Sequence, residues 1–106
     1  MLLAKEIYRV TKLLPTTEQY GLCDQLRRAS VSVPSNIAEG FSRKSVKENA
    51  QFISIAFGST SEIDTQLLLV QELNMISAHE IEQGAALLLE VRKMLSVMLS
   101  RLKSNG

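Results

Sequence analysis

The sequence predicts an all-α protein, an antiparallel up-down-up-down four-helix bundle, and three observations lead there. Apolar residues recur at helical spacing in four segments, and no segment alternates like a strand. Pro, Gly and small polar clusters separate these segments by only a few residues, and short connections between long helices favour antiparallel neighbours. Of the 106 residues 45% are hydrophobic but only 5% aromatic, with no Trp, so Leu, Ile, Val, Ala and Met must build the core. That palette suits packed helices, and the length suits a single domain over residues 1–106.

Helix 1 is expected over about 2–14, where Leu3, Ile7, Val10 and Leu14 share one face and Pro15 stops the chain. Helix 2, over 17–40, opens at Thr16 and Gln19, which read as a capping box whose side chains satisfy first-turn N–H groups. Helix 3, over 45–73, opens on the same device at Ser45 and Glu48, and carries Val46, Ala50, Ile53, Ala56, Phe57, Thr60, Ile63, Leu67 and Val70 as its stripe. Helix 4, over 78–103, follows Ser77 and Glu80 and buries Ile81, Ala85, Leu88, Val91, Leu95, Met98 and Leu102. Gly40 and Asn74 are residue types that tolerate the left-handed backbone closing a helix.

Pro34 is the local objection to an unbroken helix 2, because it lacks the N–H that would bond the Ser30 carbonyl. Yet Leu22, Leu26, Ala29, Val33 and Ile37 keep their phase through it, which predicts one helix kinked at Pro34 rather than two. On the other side Arg28, Ser32, Ser35 and Glu39 cluster, with Asn36 at their flank. Helix 3 offers a matching line of small residues, Ser54, Gly58, Ser61 and Thr65, beside Glu62. These faces are either solvated or polar contacts with another helix or another copy of the chain. Arg28, Ser32, Asn36, Glu39, Gly58, Ser61 and Glu62 are the candidates for such packing.

The residues argue against catalysis. His79, the lone histidine, sits inside the Ser77–Glu80 capping box, and no Glu-x-x-His pair, Gly-rich phosphate loop or Cys cluster is present. Glu39 and Glu62 would form a carboxylate pair if their helices faced each other, but Arg28 offers each a structural partner. Neither a metal nor a cofactor is expected. Cys23, alone, fits a buried small hydrophobe in a reducing cytoplasm. The charged opening "MLLAKEIYRVTKLLP" does not read as a signal peptide, and no window is apolar enough for a membrane span.

A net charge of +1 gives no global steering, so any electrostatic argument is local. In an up-down bundle one pole would gather Lys5, Arg9, Arg43, Lys44, Lys47, Arg101 and Lys103 against Glu6 and Glu48, a net +5. The other would gather Glu18, Asp24, Glu72, Glu80 and Glu82 against Lys12, a net −4. In a parallel ring the first pole becomes a basic rim able to contact phosphates of RNA or DNA without reading sequence. Arg43, Lys44 and Lys47 lead that expectation, with Lys5, Arg101 and Lys103 behind them. The alternative is a protein-assembly or accessory module with no direct nucleic-acid contact.

The run "YGLCDQLRRASVSVPSNIAEGFSRKS", followed by "ISIAFGSTSEIDTQLLL" and "ELNMIS", resembles the four-helix-bundle family encoded in intervening sequences of bacterial 23S ribosomal RNA genes. Arg27, Arg28, Ser32, Pro34, Ser35, Asn36, Ile37, Ala38, Glu39 and Gly40 meet its central motif, and Gly58, Ser59 and Glu62 its later positions. Asn74 stands where that family usually has Gly, and helix 1 opens a turn or two later than in relatives. The resemblance implies a ring-shaped homo-oligomer, a homopentamer, without catalysis. It extends to the accessory protein of diversity-generating retroelements, whose ring binds a reverse transcriptase and nucleic acid. A nucleic-acid enzyme of that kind is therefore an implied partner.

Overall fold

Local chemistry sets most helix ends in the computed structural model, which describes residues 1–105. Four α-helices, α1 (Leu2–Leu13), α2 (Leu22–Phe41), α3 (Val46–Glu72) and α4 (Ala78–Asn105), are joined by short turns, with no strand among the described residues. Leu14 leaves α1 in extended backbone (φ −79, ψ 155), as expected of a residue that precedes proline. Ser45 caps α3 by accepting from the Glu48 N–H at 3.0 Å, and Ser77 Oγ lies 3.4 Å from the Glu80 N–H at the start of α4. Asn74 takes the left-handed conformation (φ 58) after α3, and the Met75 N–H reaches back to the Val70 carbonyl at 3.0 Å.

Three expectations need correction. The Thr16–Gln19 box does not open α2: Thr16–Glu18 form a 3-10 turn, and α2 starts at Leu22 after Gly21 without a side-chain cap. Gln19 instead ties α1 to α2, donating to the Thr11 carbonyl at 3.5 Å and accepting from Arg27 Nη2 at 3.1 Å. Gly40 does not close a helix through positive φ; it lies buried inside α2, where an added Cβ would stand 3.0 Å from Asn49 Oδ1 and 3.2 Å from Phe52 Cβ. Its missing side chain lets α2 and α3 approach. Ala85 is exposed, and Gly84 takes the inward place beside Glu6.

α2 runs unbroken through Pro34. The core takes Leu3, Ile7 and Val10 from α1, Leu26 and Val33 from α2, Ile53, Ile63, Leu67 and Val70 from α3, and Ile81, Leu88 and Leu95 from α4, all buried. α2 packs on α3 and α3 on α4, while α1 lies against α2 and α4. Across α2 and α3, Gln25 meets Gln66, Ser32 meets Ser59, and Gly40 faces Asn49. α1 has 12 residues against 28 in α4. Since each helical residue rises about 1.5 Å, α1 covers only the early part of α4, with Arg9 at Glu80 and Glu6 at Gly84.

Candidate nucleic-acid interface

The α2–α3 turn and the last turns of α4 meet at one end of the molecule, which carries Arg43, Lys44, Lys47, Arg101 and Lys103. Val46, Ala50, Phe52 and Ile55 of α3 and Leu102 of α4 line an open groove of about 750 Å³, with Lys47 and Lys103 at its edges. Lys44 and Arg101 are exposed, whereas Arg43 is engaged: its Nη2 donates to Glu39 at 2.8 Å and its guanidinium lies 4.8 Å from the Phe52 ring centroid. That stacking tethers the turn to α3. Phe41, just before the turn, stays 63% exposed although it follows the buried Gly40.

Lys5 and Arg9 do not belong to this end. α1 is too short to reach it, and Lys5 shares a separate groove with Leu2, Glu6, Gln83 and Leu87. Arg9 bonds Glu6 at 2.8 Å and Glu80 at 3.3 Å, and donates to the Glu80 carbonyl at 2.6 Å. The Glu6 hydrogen bond, with Glu80 adding to it, pushes the Arg9 guanidinium still further above its ordinary range. The basic end therefore keeps Arg43, Lys44, Lys47, Arg101 and Lys103 against Glu39 and Glu48, a net +3 rather than +5.

The polar stripe divides. Ser32 and Ser59 share a hydroxyl hydrogen bond of 2.8 Å, and Asn36 Nδ2 donates to the Ser32 carbonyl at 2.8 Å and to its Oγ at 2.9 Å. Ser32 and Ser59 thus tie α2 to α3, and Asn36, half-buried, braces Ser32 from within α2. Arg28 pairs with Asp24 at 3.3 Å, not with Glu39 or Glu62, because a one-turn reach along its own helix is shorter. Arg28, Ser32 and Glu62 do line one shallow groove with Gln25 and Ser59. Glu39 sits away from it beside Arg43, so the structure brings together no Glu39–Glu62 carboxylate pair. Gly58 is exposed, with nothing within 4 Å of where its Cβ would be.

Ser61 accepts from Arg92 Nη1 at 2.7 Å, with Thr60 Oγ1 at 3.3 Å and the Phe57 ring centroid 4.7 Å from the guanidinium. The sequence reading missed Arg92. Its signal was available, since it lies four residues after Leu88 and three before Leu95, both buried, which places it toward the α3 side of α4. His79 is exposed near Glu82. Cys23 is fully buried beside the Thr11 carbonyl, and desolvation pushes its thiol pKa up despite the opposing influence of Arg27. Among the described residues no helix is long and apolar enough to cross a membrane.

Compared with known proteins, residues 1–97 match the family model described as 23S rRNA-intervening sequence protein. No curated protein matches the chain.

Proposed function

The chain belongs to the 23S rRNA-intervening sequence protein family, and from that premise we propose a non-enzymatic protein that assembles into a ring-like homo-oligomer and binds nucleic acid through its basic end. On this reading the helices run up-down-up-down, α2 bends at Pro34, and the ring is a pentamer working in the cytoplasm. The helix directions are supported by contacts whose numbers fall in one helix as they rise in the next, as Gln25–Gln66 and Ser32–Ser59 do. A reverse transcriptase or similar nucleic-acid enzyme is the protein partner the reading allows.

One observation carries the binding half: Lys47 and Lys103, from two different helices, flank one groove next to the exposed Lys44. Among the described residues no carboxylate pairs with Lys44 or Lys47, which leaves both available to phosphates, and a ring would repeat the cluster around a rim. Affinity for RNA or DNA is expected to fall steeply with salt. A Lys44→Gln/Lys47→Gln variant, which leaves the Arg43–Glu39 pair in place, should flatten the slope of log affinity against log salt by about 1 to 2. Equal slopes for variant and wild type would sink the assignment.

The second reading, an assembly module without nucleic-acid contact, draws on the exposed Leu89, Met94 and Val97 of α4. It expects oligomerisation to survive in the same lysine variant and nucleic-acid binding to be absent from both proteins.

A further inference from the structure

The groove at the basic end is apolar where a phosphate-binding surface has no need to be. Val46, Ala50, Ile55 and Leu102 supply its walls, and Phe52, held under Arg43, joins it to the α2–α3 turn. Ile55, 51% exposed, stands in the groove with Lys47 and Lys103, and Phe41, 63% exposed, lies three residues before Lys44, so neither large apolar side chain serves the core. A duplex would meet this surface with phosphates alone, because its bases are stacked and paired inside. A single strand carries both features that the surface offers to satisfy, a phosphate chain for the lysines and unstacked base faces for the apolar walls.

We propose that the groove between the start of α3 and the end of α4 is a single-strand site. The phosphates lie along Lys44, Lys47 and Lys103, and unpaired bases rest against Phe41 and in the groove walled by Ile55 and Leu102. This rests on the nucleic-acid reading above and narrows it to unpaired RNA or DNA. The walls hold few groups able to read base edges, chiefly Gln51 and Ser54, so binding is tolerant of sequence. Every base has a face that an apolar wall accepts.

Three probes of equal length test the site by fluorescence anisotropy: oligo-dT, the same backbone made abasic, and a blunt duplex. Charge is common to the first two, so the bases alone separate them. Wild type is expected to bind oligo-dT about tenfold or more tighter than the abasic strand. Phe41→Ser and Ile55→Gln, which keep the net charge and alter exposed positions, should narrow that gap while leaving the salt slope unchanged. Circular dichroism checks that both retain their helices. Equal binding of oligo-dT and abasic strand with a steep salt slope overturns the single-strand site and leaves the basic-end reading standing. Absence of binding to all three probes overturns both. Base-independent binding together with Ile55-dependent capture of an acidic amphipathic peptide overturns the site in favour of a protein occupant.

Discussion

Gly40 and Gly58 are both helical glycines exchanged for alanine with the same intrinsic gain, about 0.8 to 1 kcal/mol of helix propensity. Their surroundings decide whether that gain survives. Around Gly58 a new methyl meets nothing within 4 Å, so Gly58→Ala is expected to raise the unfolding free energy, and with it the urea midpoint, with nearly the full propensity term retained. Around Gly40 it meets Asn49 Oδ1 at 3.0 Å, Phe52 Cβ at 3.2 Å and the Asn49 carbonyl at 3.3 Å. A backbone atom cannot swing aside, so α2 and α3 must part, and overpacking of this kind costs about 1 to 3 kcal/mol. Gly40→Ala should therefore destabilise; a midpoint at or above wild type would show that the α2–α3 contact is loose. The sequence alone marks Gly40 as a helix end, because a terminal glycine and a packing glycine carry the same letter. Only the approach of Phe52 distinguishes them.

At the level of the helix, periodicity made the four elements legible, since Leu26, Val33, Ile53, Ile63, Leu88 and Leu95 had to share a dry interior whatever joined them. Ser45 and Asn74 were legible for a similar reason: a cap and a left-handed residue act within a few positions of themselves. The start of α2 was not, because Thr16 and Gln19 suit a 3-10 turn as well as a capping box, and Gln19 found a better use on Thr11 and Arg27. The partners of contacts between distant positions were not legible, even where the face that carries them was. Arg92 is the clearest case, joining α4 to α3 through Ser61 and the Phe57 ring. Arg92→Ala removes a charge-assisted hydrogen bond and the ring contact together, and chemical denaturation should show a loss of about 1 to 3 kcal/mol. Arg92→Lys should recover only part of it, because an ammonium has no planar face to stack on the Phe57 ring while it donates to the Ser61 and Thr60 hydroxyls. Full recovery by lysine would reduce Arg92 to a simple positive charge.

The whole molecule is a rod, 44 × 22 × 19 Å, with Lys44, Lys47, Arg101 and Lys103 toward one end and Glu18, Glu72, Glu80 and Glu82 toward the other. Arg9 moves the balance at both ends, since it lies beside Glu80 rather than at the basic end. Such a rod can join copies of itself with unlike ends together or with like ends together, and the two respond oppositely to salt. Head-to-tail contacts set unlike ends together and weaken as the Debye length shrinks to about 10 Å at 0.1 M. A parallel ring sets like ends together, so salt relieves its repulsion and should increase the oligomeric fraction. Nucleic-acid affinity at the basic end should fall over the same range, because binding there releases counterions. One salt series, followed by light scattering for mass and by anisotropy for binding, is thus expected to move the two quantities in opposite directions. Mass and affinity falling together would exclude the parallel ring and point to association through unlike ends, end to end or antiparallel, in which an acidic end competes with phosphates for the lysines.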